Sequence, residues 1–279
     1  MLTPEQKKNR MNGIGASESG IVLGVNKYVS PYKLWMQKVG KMEPDDLSNV
    51  PAVHWGNVHE DSIAQEYARV MNCRVRRVND TLYHKEHKHI MCHLDRKIEG
   101  QRKVLECKFA MYASDEWGAS GTDIVPLHYI IQVQHQMLVT GYEEADLAVL
   151  IGGWDFRVYH FKRDEFLIDK IISDLNFFWD CVQKEIAPPL RDRNDVQLAF
   201  PNPRDFYKEA DGNVVSTINS IRVLKAQIKK LDEKKEKLED DLTLFLGDCE
   251  GLKINDQVAA TWKANKNGVR SLRIMEHRA

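Results

Sequence analysis

Three charged side chains close together in the sequence could form a metal-dependent hydrolytic site. Glu106 and Lys108 stand two residues apart in the apolar run 104–109, so they share one face of a strand. Asp95 lies eleven residues before Glu106, at the end of another apolar run, and residues 99–102 are typical of a turn. A hairpin would bring the two carboxylates together, and such a pair suits Mg²⁺. The alternative is a surface hairpin with ordinary ion pairs.

A further carboxylate, Glu60, lies within residues 55–71, which have helical periodicity. Apolar residues follow it at three, four and seven positions, so Glu60 shares their stripe. A carboxylate that faces a core needs a compensating partner, which a metal ion held by Asp95 and Glu106 would provide. The alternatives are a solvated position at the edge of the stripe and a first-turn acid favoured by the helix dipole.

The elements that would position these residues are a mixture of strands and helices before residue 200. Pro126 suits a first helical turn and Gly141 suits a helix end. Gly152-Gly153 separates two strand-like runs. This mixture predicts the α/β class. The predicted strands cover residues 73–78, 89–94, 104–109, 145–151 and 156–161, and the predicted long helices cover residues 55–71, 126–141 and 164–185.

A glycine-containing stretch, residues 13–17, precedes a short apolar segment and is a candidate anion site. Ser17 is a candidate helix N-cap and Gly24 a candidate helix end. A loop ahead of a helix N-terminus can bind phosphate, and the guanidinium of Arg10 would add bidentate contacts. A plain N-cap is an equally good interpretation of Ser17.

The pattern changes after Pro203. Residues 257–275 predict a β-hairpin around Asn267-Gly268. Before it, apolar residues recur in steps of three and four, interrupted at Lys235, which predicts a heptad seam. The partner of that seam is either another helix of this chain, packed antiparallel, or another molecule. The seam residues are Val214, Ile221, Leu224, Ile228, Leu231, Leu238, Leu242 and Phe245.

Composition excludes some classes of protein. The 279 residues include 40 Lys+Arg and 41 Asp+Glu, so net charge gives no general attraction to nucleic acid, and such a partner needs a local site. No run of about 18 apolar residues is present, which excludes a membrane span. The polar residues 1–10 lack a signal core, so we expect a cytoplasmic protein.

The cysteines and histidines do not predict a zinc site. The five cysteines are scattered without a Cys-x-x-Cys pair, and we interpret them as reduced packing residues. Four histidines fall within residues 84–93, but their spacing matches no zinc signature. We interpret that segment as a polar turn that leads into a strand.

The order of the candidate residues resembles the PD-(D/E)xK nucleases and, more narrowly, the phage-type exonucleases of the YqaJ and lambda exonuclease group. The resemblance covers about residues 9–190 and implies a restriction-endonuclease-like core, with a mixed central sheet flanked by helices. We assign residues 1–205 to this exonuclease domain, and residues 206–279 to a helical, coiled-coil-like arm with a small β-hairpin. The motifs are Arg10 with Gly15-Ala16-Ser17-Glu18, Trp55-Gly56 with Glu60, Asp95, Leu105-Glu106-Cys107-Lys108, and Gln132-Val133-Gln134.

The resemblance implies a metal centre built on the first carboxylate pair. Asp95, Glu106 and the backbone carbonyl of Cys107 would bind Mg²⁺, for which Mn²⁺ would substitute, and Glu60 would complete or support this site. Lys108 would orient or activate the attacking water and counter charge on the phosphate.

The resemblance also implies contacts around the metal and the DNA end. Gln132 would help to hold the nucleophile, although without the resemblance it is an ordinary polar helix residue. Arg10 and Ser17 match positions near the 5′ phosphate of the DNA end. One departure is that the family's Pro-Asp-Gly stands here as Leu94-Asp95-Arg96, which keeps the aspartate and leaves Arg96 as a candidate DNA contact.

The implied function is a Mg²⁺-dependent 5′→3′ exonuclease that digests one strand of linear double-stranded DNA and leaves 3′ single-stranded tails. The expected partner is a single-strand annealing recombinase, and the family implies a homo-oligomer, a trimeric ring, in a bacterial host or prophage. The arm would serve oligomerisation or that recombination partner, or pack back on the core. The alternatives are a PD-(D/E)xK nuclease of another kind, an endonuclease or adaptation-type enzyme, and a non-catalytic DNA-binding or coiled-coil adaptor.

Overall fold

A mixed five-stranded sheet forms the centre of the first of two units, which are divided between Pro203 and Arg204. The structure is a computed structural model that describes residues 9–275. In sheet order the strands are β1 (Val75–Arg77), β4 (Arg96–Ile98), β5 (Lys103–Ala110), β6 (Glu144–Ile151) and β7 (Asp155–Lys162). Strands β5 and β6 are parallel, and the other neighbours are antiparallel. A separate ribbon pairs β2 (Leu82–Tyr83) with β3 (Met91–Cys92).

Helices cover both faces of this sheet, because its strands alternate between two apolar clusters. Leu105 of β5 packs with Tyr67 and Ile63 of α3 on one face. Val104 packs on the other face with apolar residues of α1, α4 and α5. The α/β class with a mixed sheet flanked by helices is thus confirmed. The helices of this unit are α1 (Ala16–Val22), α2 (Pro31–Lys38), α3 (Pro51–Val70), α4 (Leu127–Thr140), α5 (Glu165–Gln183) and α6 (Arg193–Ala199).

Helix α4 is confirmed where the sequence predicts it, and it is unusually deep in the core. Pro126 precedes its first turn, and Gly141 ends it in the left-handed conformation with φ 66°. The nine consecutive residues 131–139 are all buried, so polar residues on this helix must find partners inside the protein.

Some predicted boundaries are wrong for reasons of pairing. The run 89–94 contributes only the two-residue strand β3, because Ile90 forms an isolated bridge with Ile14 and β3 pairs only with β2.

Ser17 is not an N-cap, since Gly15 occupies that position and Ser17 lies inside α1. The cause is Glu18, whose side chain accepts a hydrogen bond from the N–H of Gly15 and fixes the start of the helix two residues earlier.

The second unit consists of one long helix and a small antiparallel sheet. Helix α7 (Gly212–Leu246) has 35 residues, and the Asp211 side chain caps its N-terminus. The sheet contains β8 (Gly251–Ile254), β9 (Gln257–Ala264) and β10 (Arg270–Ile274) in the order β10-β9-β8. The predicted hairpin is confirmed as β9 and β10, whereas β8 was not predicted. No helix among residues 9–275 combines the length and apolar character needed to cross a membrane.

Candidate functional site

The hairpin of β4 and β5 brings Asp95 and Glu106 together. Arg96 pairs with Leu105 in the register of the hairpin, so the preceding Asp95 lies across from Glu106. One oxygen of Asp95 accepts a hydrogen bond of 2.8 Å from the backbone N–H of Cys107. This register is the local reason that the two carboxylates lie side by side on neighbouring segments in the middle of the sheet.

Glu106 is held by three donors. Lys108 Nζ lies 2.6 Å from Glu106 Oε1, as the alternation of side chains along β5 requires. From α4, Gln132 Nε2 donates to Oε1 at 2.5 Å, and Gln136 Nε2 donates to Oε2 at 2.6 Å. Glu106 is only 3% exposed, so these contacts fix its orientation and compensate its burial.

The surroundings of Asp95 disfavour its charged form. Burial raises the pKa of Asp95 to about 8, and the charges of Glu106 and Glu60 act in the same direction while Lys108 opposes them. Burial alone would lower the pKa of Lys108, but the charges of Glu106 and Asp95 outweigh it and hold that pKa above its usual value. The lysine therefore stays protonated, and its ammonium lies beside the buried Glu106 and near the half-buried Asp95.

These side chains fit an ion such as Mg²⁺, which needs few protein ligands, better than an ion that is enclosed entirely by protein side chains. Among residues 9–275, no three His, Cys, Asp or Glu side chains lie close enough to enclose an ion by themselves. Magnesium usually binds through one or two carboxylates and completes its shell with water and substrate phosphates. Asp95 and Glu106 supply two adjacent carboxyl groups, and this number of carboxylates fits such an ion.

Glu60 has an arginine as its partner. Arg96 Nη1 donates to Glu60 Oε1 at 2.7 Å, and Arg96 Nη2 donates to Asp61 Oδ1 at 2.9 Å. Arg77 adds a longer contact to Glu60 of 3.6 Å. The prediction that Arg96 contacts DNA is wrong, because the residue is 3% exposed and its guanidinium is taken up by two carboxylates of α3.

A second charged cluster surrounds the start of α1. Arg10 Nη2 donates to Ser17 Oγ at 2.7 Å and lies 3.7 Å from Glu18 Oε1. Lys38, from α2, lies 2.9 Å from both oxygens of Glu18 and also donates to the backbone carbonyl of Gly13 at 2.8 Å. Burial would raise the pKa of Glu18, but Arg10 and Lys38 hold it below its usual value. The two cations and one carboxylate leave a positive excess at Arg10.

His93 links the two clusters. Gln136, which binds Glu106, also donates to the backbone carbonyl of His93 at 3.3 Å. Burial lowers the pKa of the His93 ring, and the charge of Arg10 lowers it further. His93 therefore lies near both the Arg10 cluster and the Gln136 amide that binds Glu106.

Comparison with known proteins identifies the family. Residues 6–143 match the family of YqaJ-like viral recombinase domains. The chain is 34% identical over 253 residues to protein YqaJ of Bacillus subtilis (strain 168), across 86% of this chain and 77% of that protein. This chain belongs to the YqaJ-like recombinase family.

Solved structures show the same fold for the first part of this YqaJ-like chain. An alkaline exonuclease (LHK-Exo) from Laribacter hongkongensis superposes with a TM-score of 0.53 at 18% identity, over 66% of this chain and 94% of that one. The same exonuclease in complex with dAMP gives a TM-score of 0.53 at 20% identity, with equal coverage. The sheet with its flanking helices is therefore the fold of alkaline exonucleases.

In this YqaJ-like fold most of the predicted site residues lie in the two adjoining clusters. Sequence reasoning missed Gln136 and Lys38. Gln136 follows Gln132 by four residues, which on a buried helix gives one shared face and was a usable signal. Gln134 of the Gln-x-Gln motif binds instead the backbone of Lys162 and Asp164, so it anchors α4 away from the carboxylates. No sequence pattern pointed to Lys38.

The tryptophan of the Trp-Gly motif anchors the helix that carries Glu60. The Trp55 ring stacks on His59 with centroids 5.7 Å apart, and His59 stacks on Phe109 at 4.6 Å. Phe109 follows Lys108 on β5. The stack therefore ties the first half of α3 to the end of the strand that carries Glu106 and Lys108.

Outside these clusters the cysteines and histidines form ordinary contacts. All five cysteines are free thiols, of which Cys92, Cys107 and Cys181 are buried and Cys249 is exposed. The His84 and His87 rings stack with centroids 5.2 Å apart. The segment 84–93 adds no metal centre among the described residues.

Proposed function

We propose that this protein is a Mg²⁺-dependent 5′→3′ exonuclease that digests one strand of linear double-stranded DNA and leaves 3′ single-stranded tails. The observation that carries the proposal is the centre formed by Asp95, Glu106 and Lys108, with one buried and one half-buried carboxyl group beside one ammonium. Membership of a viral recombinase family and the fold shared with an alkaline exonuclease support it.

The metal would bind to the two carboxylates. Asp95, Glu106 and the backbone carbonyl of Cys107 would hold Mg²⁺, or Mn²⁺ in its place, with Glu60 as a supporting charge. When bound, the ion would polarise the phosphodiester and lower the pKa of a water molecule. The charge of the ion would also favour the ionised form of Asp95, whose pKa is raised by burial and by the charges of Glu106 and Glu60.

The protein's own contribution is to position charges for phosphodiester hydrolysis. Lys108, which the neighbouring carboxylates keep protonated in the metal-free protein, would counter negative charge that develops on the phosphate and orient or activate the attacking water. Gln132 and Gln136 fix Glu106, so that this ligand does not have to reorganise during the reaction.

The Arg10 cluster gives the proposed polarity a physical basis. Arg10 keeps a positive excess and is partly exposed, while Lys38 is neutralised by Glu18. A terminal 5′ phosphate bound by Arg10 and Ser17 would carry more charge than an internal phosphate, so binding there selects a DNA end. The proximity of this cluster to Glu106 through His93 agrees with cleavage next to that end.

The wider assembly is also part of the proposal. The expected substrate is linear double-stranded DNA, and the expected partner is a single-strand annealing recombinase that receives the 3′ tail. The family resemblance favours a homo-oligomeric ring, a trimer, formed by the exonuclease domain.

The deciding experiment uses linear duplexes labelled separately at each 5′ end, with and without a 5′ phosphate, in Mg²⁺, Mn²⁺ or chelator. We expect Mg²⁺-dependent release of nucleotides from the 5′ end, faster with the phosphate. Lys108→Ala should lower the rate by about 10²–10³-fold, the usual effect of losing one donor to the transition state, and Asp95→Ala should lower it at least as much.

Lys170→Ala is the matched control, because that exposed lysine pairs only with Asp174 of its own helix. Equal rates for the wild type, Lys108→Ala and Asp95→Ala would falsify the assignment of the site. Digestion of closed circular plasmid would identify an endonuclease, and metal-independent binding without cleavage would identify an adaptor.

A further inference from the structure

Helix α7 presents a long apolar seam to solvent. In a heptad frame with Lys235 at position a, four a positions and four d positions are apolar. Ile228 is 58% exposed and Leu231 is 64% exposed, and the other seam residues are exposed or half-buried. Single exposed apolar residues are ordinary, but a continuous stripe of this kind marks an interaction surface. The a positions are Val214, Ile221, Ile228, Lys235 and Leu242, and the d positions are Thr217, Leu224, Leu231, Leu238 and Phe245.

The residue types along the seam favour a particular number of helices in a coiled coil. The first three a positions hold valine or isoleucine, and three consecutive d positions hold leucine. A β-branched residue at a with leucine at d packs best in parallel two-stranded coiled coils, whereas isoleucine at both positions, or leucine at a with isoleucine at d, favours three or four strands. The seam therefore matches a second helix of the same kind.

Lys235 sets the register and direction of such a pair. In a parallel, in-register pair both copies of Lys235 fall in one layer. The free-energy cost of placing a lysine in the apolar seam is then confined to that single layer. In an antiparallel pair a and d positions face each other, and two separate layers each place a lysine against an apolar residue. Lys235 Nζ lies 3.4 Å from Glu239 Oε1 of its own helix, which draws the ammonium towards the rim of the seam.

The flanking charges are complementary in the same arrangement. In a parallel pair each g position faces the following e position of the other helix. Lys234 at g would face Glu239 at e of the second copy, and the contact occurs twice by symmetry. The remaining g and e pairs combine Asn213 with Ile218, Ser220 with Lys225, Gln227 with Asp232, and Asp241 with Leu246, so no like charges oppose each other.

We infer that α7 pairs with α7 of a second copy of this chain as a parallel, two-stranded coiled coil, with Lys235 as the register layer. The pairing joins chains two at a time through the second unit. It does not depend on the nuclease proposal, since it uses no residue of the carboxylate centre.

Adjacent residues of α7 provide a matched pair of variants for the test. Leu224 and Val223 are equally exposed, at 56% and 57%, but only Leu224 lies in the seam. In sedimentation equilibrium of the full chain, Leu224→Glu should reduce the mass to half of the wild-type value or less, and Val223→Glu should keep the wild-type mass. Unchanged mass for Leu224→Glu overturns the inference. Monomers for all three chains also overturn it and assign the seam to a different protein.

Cross-linking tests the direction of the pair independently of folding differences. In a Cys249→Ser background, which removes the exposed thiol, Leu224→Cys chains should form a disulfide with one another under mild oxidation by dioxygen, because equal d positions meet in a parallel pair. Cross-linking only in a mixture of Leu224→Cys and Lys235→Cys chains indicates an antiparallel pair and overturns the parallel assignment.

Discussion

Asp95 and Glu106 share one site but are held in different ways. Glu106 has three donors, from Lys108, Gln132 and Gln136, whereas Asp95 accepts only the Cys107 N–H among the described residues and feels the opposing charges of Lys108 and of two carboxylates. Glu106 is therefore the fixed member of the proposed metal site, and Asp95 is the carboxyl group whose protonation state would depend on a bound cation. Residues that are costly without their ligand are common at functional sites.

Asp95→Asn should stabilise the metal-free protein. An ordinary aspartate has a pKa of about 3.9, and the fold raises that of Asp95 to about 8. The charged form is thus disfavoured in the folded chain, and this cost grows as pH rises from about 4 and is complete above about 8. In chelator, the free energy of unfolding should increase by about 1–2 kcal/mol at pH 9 and by less at pH 5.

Urea unfolding in chelator at both pH values measures the effect. Asp123→Asn is the control, since Asp123 is exposed and its substitution should change stability at neither pH. A lower stability of Asp95→Asn at pH 9 would contradict the electrostatic account of this carboxyl group. With Mg²⁺ present the advantage of the variant should disappear, because the ion stabilises only the wild-type carboxylate.

At the scale of elements, α4 is joined by side-chain hydrogen bonds to two strands of the sheet. Gln132 and Gln136 donate hydrogen bonds to Glu106 on β5. Gln134 donates to the backbone carbonyl of Lys162, the last residue of β7. Glutamines four residues apart share one face, and the intervening Gln134 points elsewhere. The same helix therefore supports the site with the amides of Gln132 and Gln136, and the fold with the amide of Gln134.

Gln136→Ala should impair hydrolysis more than stability. The substitution leaves Glu106 Oε2 without its amide donor, and loss of an outer-shell partner usually lowers activity or metal affinity by about 10–100-fold. Gln134→Ala removes an equally buried amide from the same helix and should lower stability without this loss of rate. Rates and half-saturating Mg²⁺ concentrations of the two variants provide the measurement. Equal losses of rate would show that Gln136 acts only through the fold.

The sequence was informative wherever a periodic pattern coincided with local signals. Helix α4 between Pro126 and Gly141, and the hairpin around Gly268, follow from such signals. The contact of Arg96 with Glu60 was not predictable, because it joins residues of two elements and depends on how α3 lies on the sheet. The N-cap expected at Ser17 is incorrect because the Glu18 side chain accepts from the Gly15 N–H, and Gly-x-x-Glu is not the usual Ser/Thr-x-x-Glu signal for a helix start.

At the scale of the molecule, the near-zero net charge conceals a strong local pattern. Two carboxyl groups with one ammonium define the proposed metal centre, and a positive excess at Arg10 lies beside it. A DNA substrate therefore does not require a basic protein, because the ion and a few positioned cations supply the attraction. The two units also divide the proposed tasks, with hydrolysis in the first and pairing of chains in the second.

A chain that ends at Pro203 should keep hydrolysis and lose pairing through α7. Both apolar clusters of the first unit consist of residues before position 204, so its core is complete without the arm. We expect the rate per site to stay within about twofold of wild type, as for independent parts of a protein, and the mass to fall by more than the deleted residues account for. Full-length Leu224→Glu is the control, since it keeps the arm but should not pair. A tenfold or larger loss of rate in the truncated chain alone would show that the arm takes part in binding or cleaving DNA.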